Sequence, residues 1–390
     1  MRQVIALKPP VQFCNRNRHH ERIGLIVQTS FSFMSKKLAT VAQIEEFDAI
    51  IDVRSPSEFA EDHLPGAQNC PVLSDEERVK VGTLYKQVSA FEAKKIGAVL
   101  VGRNISKMLE THFLDKPKSW RPLIVCWRGG QRSGAFSHVM REVGWDAHQL
   151  AGGYKAWRRH VLAELITLPT QFDFRVITGA TGSGKSRLLE ALAQQGAQVL
   201  HLESLAAHKG SVLGGLPGQP QPSQKSFETR LYCALKGIDV QRPVFVEAES
   251  RVIGKLRLPE SLIMAMRNGY CLRLDVGLEA RVDFLLRDYA YALEDADWLN
   301  ACLDRLRGLQ SKDTLLRWQA MVSAGNFRQL VAELLQQHYD PLYQRSQLNH
   351  YAQHEDAELI PLATLLPSAL DSKAAEILAT IGRDKQQRMS

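Results

Sequence analysis

The chain has 390 residues, of which 45% are hydrophobic and 23% charged, and its formal net charge is +7. This composition is typical of soluble globular proteins, and the length suffices for two domains with separate cores. Because no apolar stretch reaches the ~20 residues of a membrane-spanning helix and the six cysteines include no Cys-x-x-Cys pair, neither a membrane protein nor a disulfide framework or cysteine zinc site is indicated. We expect a reducing, cytoplasmic location.

Residues 1–34 differ in composition from the rest of the chain. Residues 1–33 contain five Lys or Arg and a single acid, Glu21, which leaves a net charge of only +3 for the remaining 357 residues. An arginine-rich, acid-poor opening can be a transit peptide. We favour another explanation, in which the start codon is assigned too early and Met34 is the true initiator. We predict a basic, unstructured extension over 1–34 and exclude it from the fold. The small basic excess permits a nucleic-acid partner without requiring one.

Residues 35–166 are predicted to form a first domain of alternating strands and helices. Ser55 or Ser57 caps a helix after the strand DAIIDVR (48–54), and a long polar helical stretch follows over roughly 74–113. Next come the strand PLIVC, the helix SGAFSHVMREVG, the strand AHQL and the helix YKAWRRHVLAEL. This alternation predicts a doubly wound parallel sheet. Ligands bind such sheets at the carboxyl ends of strands, where Cys126 lies.

The stretch after that strand, CWRGGQRS (126–133), predicts a cradle for an anion. Backbone N–H groups of a strand-to-helix loop can converge on one point, and the helix N-terminus adds partial positive charge, so a thiolate is stabilised there. The glycines let the backbone approach closely, and arginines supply forked donors to an oxyanion. We predict Cys126, Arg128 and Arg132 as catalytic residues. The rest of the cradle comprises Trp127, Gly129, Gly130, Gln131 and Ser133.

Three stretches, DVRSPSEFAEDHLPGA (52–67), CWRGGQRS and LAGGYKAW (150–157), resemble the signatures of rhodanese domains in order and spacing. The resemblance implies that Cys126 carries a chalcogen as a persulfide-type adduct. It also implies that the residues bracing the loop are Asp52, Arg54, Glu58 and His63, with a general-base role for His63 as a less favoured alternative. Five residues separate Cys126 from Arg132, one more than in the usual sulfurtransferase loop. This spacing also matches cysteine phosphatases, so a phosphatase or an arsenate reductase stays open; a wider cradle also suits a phosphate-bearing chalcogen donor.

Residues 167–390 are predicted to form a second domain around a P-loop. In FRVITGATGSGKSRLLEALAQQG (174–196), a β-branched run precedes the glycine-rich turn and a helix follows it. Backbone N–H groups of such a turn bind phosphates, its Lys reaches the terminal oxygens, and its Ser can ligate magnesium. We predict that a diphosphate is bound by Gly179, Ala180, Thr181, Gly182, Ser183, Gly184, Lys185 and Ser186.

Further features of the second domain follow in RPVFVEAESRVIGK (242–255), a predicted strand that ends in the acids Glu247 and Glu249. P-loop NTPases usually have an Asp at this strand end, so nucleotide hydrolysis stays open, as does simple pairing of these acids with Arg251 or Lys255. Residues 214–230 are predicted to be a loop over the phosphate site, with Ser226 capping a helix. Residues 278–345 are predicted to be a helical extension whose core includes Trp298, Trp318, Leu315 and Leu316.

Across residues 35 to about 370 the chain resembles the bacterial tRNA 2-selenouridine synthase family, a rhodanese domain fused to a P-loop domain. The resemblance is based on DEERVKVGTLYKQVSAFEAKKIGAVLVGRNI, CWRGGQRSG, TGATGSGKS, PQPSQKSFETRLY and VEAESRVIGK. It implies that wobble 2-thiouridine in tRNAs for Lys, Glu and Gln is the substrate, with selenophosphate as selenium donor. It also implies S-geranylation from geranyl diphosphate as the preceding step. Cys126 would hold selenium as a selenosulfide anion, and the P-loop would bind the diphosphate.

The resemblance also sets expectations for partners and leaves alternatives. We expect a monomer that binds tRNA, with a selenophosphate supplier as a candidate partner, no membrane, no prosthetic group and no resident metal. Whether magnesium or a nucleotide joins the P-loop stays open. Candidate tRNA contacts are Arg251, Lys255, Arg257, Arg267 and Arg273. The alternatives are a cysteine phosphatase or sulfurtransferase fused to a P-loop kinase-like domain, and a non-catalytic tRNA-binding or sulfur-carrier module.

Overall fold

The computed structural model describes residues 37–211, 214–350 and 357–389, without the side chains of 346–350 and 382–389. The predicted extension over 1–34, with Met34, lies outside these residues. The described residues belong to one compact unit. Among the described helices, none combines the length and apolar character needed to cross a membrane.

The first half of the chain folds around a five-stranded sheet with order β1-β5-β4-β2-β3 and parallel pairing throughout. Its strands are β1 (Leu38–Ala39), β2 (Ala49–Asp52), β3 (Gln68–Asn69), β4 (Pro122–Val125) and β5 (His148–Leu150). Its helices are α1 (Pro56–Glu61), α2 (Asp75–Gln87), α3 (Ala90–His112), α4 (Gln131–Val143) and α5 (Gly153–Thr167), with 3₁₀ turns at Val41–Glu46 and Leu168–Gln171.

Helix caps decide where these helices begin. Ser55, and not Ser57, is the N-cap of α1, and the Glu58 carboxylate accepts the Ser55 N–H at 3.1 Å. The prediction of one continuous helix over 74–113 is wrong, because the helix is interrupted between α2 and α3. Ser89 adopts an extended conformation there, and its hydroxyl accepts the Glu92 N–H at 3.0 Å, which starts a second helix.

The second half folds around another parallel sheet, with order β12-β11-β6-β8-β7. Its strands are β6 (Phe174–Thr178), β7 (Gln198–Leu200), β8 (Val244–Glu247), β11 (Tyr270–Val276) and β12 (Glu358–Leu362), and β9 (Val252–Ile253) pairs antiparallel with β10 (Leu256–Arg257). Helices α6 (Lys185–Gln194), α7 (Leu202–Ala206), α8 (Gln224–Lys236) and α9 (Glu260–Arg267) accompany them. The predicted α/β class with two parallel sheets is confirmed. The cap of α8 is Ser223 and not Ser226, because the Ser223 hydroxyl accepts the Ser226 N–H at 3.0 Å.

The predicted helical extension consists of short helices that precede β12, followed by one long helix. They are α10 (Leu278–Asp288), α11 (Ala290–Leu293), α12 (Ala296–Asp304), α13 (Lys312–Ser323), α14 (Phe327–Leu334), a π-helical turn at Leu335–Tyr339, α15 (Asp340–His350) and α16 (Pro367–Met389). Leu315 and Trp318 are buried in its core, and Trp298 packs against that core. Leu316 is 54% exposed. The prediction that Leu316 lies in the core is wrong. Leu316 follows the buried Leu315, and successive side chains of a helix point about 100° apart.

A shared apolar cluster and a buried polar network join the two sheets. They occur in addition to the separate cores that the sequence predicts. Trp157 and Val161 of α5 belong to one cluster with Leu231 of α8. Below them Asp62, only 2% exposed, accepts the Tyr154 hydroxyl at 2.8 Å and the Thr229 hydroxyl at 3.1 Å. A buried carboxylate is stable only when its hydrogen bonds are satisfied, so this contact ties the halves together.

Candidate active sites

The predicted thiol lies at the carboxyl end of a fully buried strand. β4 ends at Val125, and the next side chain, Cys126, is 3% exposed. Its Sγ accepts the Gly130 N–H at 3.3 Å and lies 3.0 Å from the Ser133 hydroxyl. On its other side the thiol packs in an apolar cluster that includes Phe136. The sulfur is therefore placed between an apolar wall and loop donors of the kind that stabilise a thiolate.

Gln149, a residue that the sequence analysis did not single out, fixes this loop from the neighbouring strand β5. It is 1% exposed, and its Nε2 donates to the Ser133 hydroxyl at 2.9 Å and to the Gly130 carbonyl at 3.2 Å. Because the Ser133 oxygen accepts a hydrogen bond from Gln149, its own O–H can donate, either to Cys126 Sγ at 3.0 Å or to the Gly130 carbonyl at 3.4 Å. Parallel pairing of β5 with β4 brings Gln149 there.

The two predicted arginines of the loop differ in their surroundings. Arg132 makes a forked ion pair with Glu58, at 2.5 Å from Nη1 to Oε2 and 3.2 Å from Nη2 to Oε1. Arg128, in contrast, is exposed. Burial alone would raise the pKa of Glu58, but the hydrogen bond and charge of Arg132 outweigh it, so the pKa lies below its usual value. Glu58 thus braces the loop through Arg132, which fits its predicted framework role.

Replacing Glu58 by Gln is expected to lower the free energy of unfolding at pH 7 by about 1–3 kcal/mol, because one partner of a partly buried charged pair is lost. A carboxyl with a lowered pKa stabilises the fold above its unfolded pKa of about 4.3, and this stability is lost as the pH falls through the folded pKa. The difference from wild type should therefore shrink towards pH ~3. Urea unfolding across that range measures it. Glu110→Gln, at an exposed site on α3, is the control, and a pH-independent difference would contradict the assignment.

Two glycines let the Cys126 loop pack directly on the start of α5. Gly153 has φ +59°, and a Cβ there would lie 2.2 Å from the Cys126 carbonyl oxygen and 2.4 Å from the Gly129 nitrogen. A Cβ on Gly129, with φ +64°, would lie 2.5 Å from the Leu150 carbonyl oxygen. These neighbours are backbone atoms, which cannot rotate away. The glycine pair of the LAGGYKAW motif is therefore explained by backbone contact with the thiol loop.

Gly153→Ala is expected to destabilise the protein by more than about 2 kcal/mol, since it combines an unfavourable φ with a backbone clash. Gly102→Ala is the matched control, because a Cβ at Gly102 of α3 meets nothing within 4 Å; it should stabilise the helix by about 0.5–1 kcal/mol. Denaturant unfolding of both variants gives the comparison, and equal stabilities would refute the role of this contact.

Two of the remaining framework residues, Arg54 and Asp52, form a buried ion pair. Arg54 Nε donates to Asp52 at 2.9 Å, and its guanidinium lies 3.9 Å from the centre of the Tyr154 ring. The Tyr154 N–H in turn donates to the Cys126 carbonyl at 2.8 Å. His63 stacks on the Phe59 ring of α1 at 3.9 Å, and its Nδ1 lies 2.9 Å from the Phe59 carbonyl oxygen. Among the described residues His63 makes no hydrogen bond to Cys126. These contacts agree with a bracing role for the Arg54–Asp52 pair.

The P-loop occupies the turn between β6 and α6. Gly179, Gly182 and Gly184 have φ values of 153°, 79° and 80°, which permit the tight turn that presents backbone N–H groups to phosphate. Lys185 Nζ donates to the Gly179 carbonyl at 2.9 Å. Helix α6 begins at Lys185, so its N-terminus adds positive potential to the same turn.

Three carboxylates converge beside the P-loop. The Ser186 hydroxyl donates to Glu203 at 2.5 Å, and the Glu203 N–H donates to the fully buried Glu247 at 2.8 Å. Burial, together with the charges of Glu203 and Glu247, raises the pKa of Glu249 well above its usual value, and burial lowers the pKa of Lys185. A diphosphate placed here therefore needs a proton or a cation to offset the carboxylates.

A cavity of about 850 Å³ opens over these groups. Its polar lining includes the P-loop, Lys209 and the predicted RNA contact Arg267. Its lining also includes apolar and aromatic residues, namely Leu216, Phe284, Leu285, Tyr289, Leu342 and Tyr343. The loop predicted over 214–230 ends where α8 begins at Gln224, and it contributes Leu216 and Gln219 to the lining. A ligand with an anionic head and an apolar body finds both kinds of group here.

Comparisons with known proteins cover both sites. The profile described as the tRNA 2-selenouridine synthase AAA domain matches residues 172–311, and the rhodanese-like domain profile matches residues 36–160. A tRNA 2-selenouridine synthase of Marinobacter nauticus is 33% identical over 333 residues, which cover 75% of this chain and 87% of that protein. The chain belongs to the tRNA 2-selenouridine synthase family. The synthase of Hydrogenovibrio crunogenus is 31% identical over 78% of this chain and 92% of its own length, and that of Nitrosomonas europaea is 39% identical over 62% and 63%.

Within this tRNA 2-selenouridine synthase family member, the predicted site residues fall into two groups. The residues around Cys126 meet at one end of the first sheet, and those of the P-loop meet Glu247 and Glu249 at the second. The sequence did not predict Glu203 as a site residue. It lies three residues after the end of β7. Of the predicted RNA contacts, Arg251 and Arg267 both line the P-loop cavity. Arg251 also pairs with Glu260 at 2.5 Å, and Arg273 lies partly buried in β11.

Proposed function

We propose that this protein converts wobble 2-thiouridine in tRNAs for Lys, Glu and Gln into 2-selenouridine. Selenophosphate donates the selenium, and S-geranyl-2-thiouridine, made from geranyl diphosphate, is the intermediate. The observation that supports this most is the combination in one compact unit of a loop thiol, Cys126, and a cavity lined by both a P-loop and apolar side chains. Family membership supports tRNA as the substrate.

Geranyl transfer is proposed for the P-loop cavity. The thiocarbonyl sulfur attacks C1 of geranyl diphosphate, the S–C bond forms as the C–O bond breaks, and the electron pair leaves with the diphosphate. The N3 proton of the base is lost to solvent. Backbone N–H groups of the P-loop and Lys185 would neutralise the departing diphosphate. Apolar residues of the lining, among them Phe284, Leu285 and Leu342, would hold the geranyl chain.

Magnesium fits the polar side of this cavity. Mg²⁺ is usually bound by one or two protein oxygens together with substrate phosphates, and the Ser186 hydroxyl and the Glu203 carboxylate are adjacent donors of that type. Among the described residues, no group of three or more His, Cys, Asp or Glu forms a metal site independent of substrate. Bound there, Mg²⁺ would supply positive charge to the diphosphate.

Selenation is proposed for the Cys126 loop. A thiocarbonyl sulfur is displaced from C2 with difficulty, whereas a geranylated sulfur leaves more readily as a thiolate, so alkylation divides one hard step into two easier ones. Cys126 would react with selenophosphate while loop N–H groups and Arg128 hold the donor's oxyanion. The selenosulfide that the family resemblance implies would need two electrons to leave the selenium, so the proposal for this step is limited to release of selenium from its donor at the Cys126 loop.

The test is mass spectrometry of nucleosides from thiolated tRNA incubated with the protein. Geranyl diphosphate alone should give S-geranyl-2-thiouridine, and both donors together should give 2-selenouridine. Selenophosphate alone should give 2-selenouridine only from tRNA that is already geranylated. No modified nucleoside under any condition would refute the proposal, and release of phosphate from an aryl phosphate in its place would support a cysteine phosphatase.

A further inference from the structure

We propose that Cys126 attacks the phosphorus of selenophosphate and not its selenium. The thiol then becomes an S-phosphocysteine, and selenium is released as hydrogenselenide next to the geranylated base. This inference rests on the proposed function and specifies how its selenation step proceeds.

The thiol loop has backbone donors to spare. Five residues lie between Cys126 and Arg132, and the loop N–H of Gly130 points at Sγ, 3.3 Å away. Among the described residues, no hydrogen-bond acceptor is found for the other N–H groups of the loop, which belong to Arg128, Gly129, Gln131 and Arg132. Free N–H groups of a loop of this kind bind multi-oxygen anions. A phosphoryl group on Sγ would offer oxygens to such donors, whereas a selenium atom on Sγ has none.

Ser133, the residue after the arginine, can donate to the sulfur. Its hydroxyl accepts the Gln149 amide at 2.9 Å and lies 3.0 Å from Sγ, closer than the Gly130 carbonyl at 3.4 Å, so its proton can point towards the sulfur. A hydrogen bond to a thiolate helps most when that thiolate is a leaving group. Sulfur is a leaving group when water hydrolyses an S-phosphocysteine. The Glu58 fork meanwhile holds Arg132 in place.

The electron balance also favours attack on phosphorus. Selenium in selenophosphate is at the selenide level, so placing it on sulfur as a selenosulfide removes two electrons from it. Those electrons would have to leave on phosphorus as phosphite, and a second thiol would then be needed to cleave the S–Se bond. Attack on phosphorus needs neither an oxidant nor a reductant.

The proposed sequence balances in three steps. The Cys126 thiolate attacks phosphorus, the S–P bond forms, and the P–Se bond breaks with its electron pair leaving on selenium as hydrogenselenide. Hydrogenselenide attacks C2 of the geranylated base, and the geranyl thiolate leaves and takes the proton. Water attacks the S-phosphocysteine, the S–P bond breaks, and phosphate and the Cys126 thiolate are released.

The test uses the full-length protein with selenophosphate labelled either in phosphorus or in selenium, without tRNA, followed by rapid quenching and peptide mapping. Phosphorus label is expected on the Cys126 peptide, selenium label in solution, and one oxygen from heavy-oxygen water in the released phosphate. Selenium label on Cys126 with phosphite in solution would overturn the inference. Because no tRNA is present, this result is separate from 2-selenouridine formation, whose failure would overturn the proposed function.

A serine pair on α4 supplies the matched variants. Ser133→Ala should slow breakdown of the S-phosphocysteine by about 10- to 100-fold, the value of one hydrogen bond to a charged group. Ser137→Ala, four residues further along α4 and also buried, should behave as wild type. Equal breakdown rates in the two variants would contradict the role of the Ser133 hydroxyl, and absence of phosphorus label from the Cys126 peptide in both variants and in wild type would contradict the phosphoryl intermediate.

Discussion

Replacing Cys126 by Ser is expected to lower 2-selenouridine formation by at least about 10³-fold, because the hydroxyl is a far weaker nucleophile than a thiolate held by loop N–H groups. Geranyl transfer should continue, since it is proposed for the P-loop cavity and does not use Cys126. When thiolated tRNA is supplied with both donors, S-geranyl-2-thiouridine should therefore accumulate, and mass spectrometry of the nucleosides measures both products in one sample.

Cys233→Ser provides the control for this prediction. Cys233 is a half-buried free thiol of α8, and burial raises its pKa, so it is a poor nucleophile outside any anion cradle. This variant should make 2-selenouridine at the wild-type rate. If Cys126→Ser did so as well, the thiol would have no part in selenation, and a direct reaction of selenophosphate with the geranylated base would replace it.

The parts of the two sites that the sequence predicted are those made by neighbouring residues. The Cys126 loop and the P-loop each fold from fewer than ten consecutive residues, and the glycines and charged residues that they need appear at fixed spacing. The strand before each loop is a short apolar run, which places it at a carboxyl strand end. Local chemistry and sheet topology therefore agree at these two positions.

The parts that were missed depend on register between distant segments. Gln149 reaches the thiol loop because β5 pairs with β4, and Glu203 reaches Ser186 because β7 lies beside β8. Nothing in the residues around Gln149 or Glu203 encodes these pairings. The break of the helix at Ser89 was also missed, since a serine within a polar helical pattern can as easily be an exposed helical residue as a cap.

Lys185→Ala is expected to lower geranyl transfer by at least about 10²-fold, the usual loss when one charged group that stabilises a departing anion is removed. The effect should be larger than that of an ordinary cation, because Lys185 is the ammonium that offsets the negative charge shared by the adjacent acids Glu203, Glu247 and Glu249. Formation of S-geranyl-2-thiouridine from thiolated tRNA and geranyl diphosphate is the measurement. Lys236→Ala, at the exposed end of α8, removes the same charge elsewhere and should have no effect.

A second substrate separates the two sites in the same variant. When tRNA that already carries S-geranyl-2-thiouridine is supplied with selenophosphate, Lys185→Ala should form 2-selenouridine as fast as wild type, because that step uses the Cys126 loop and no diphosphate. Loss of both reactions would mean that the P-loop serves selenation too, for example by binding the selenophosphate oxyanion. Retention of geranyl transfer would mean that the diphosphate is held elsewhere in the cavity, where Lys209 is the other lysine of the lining.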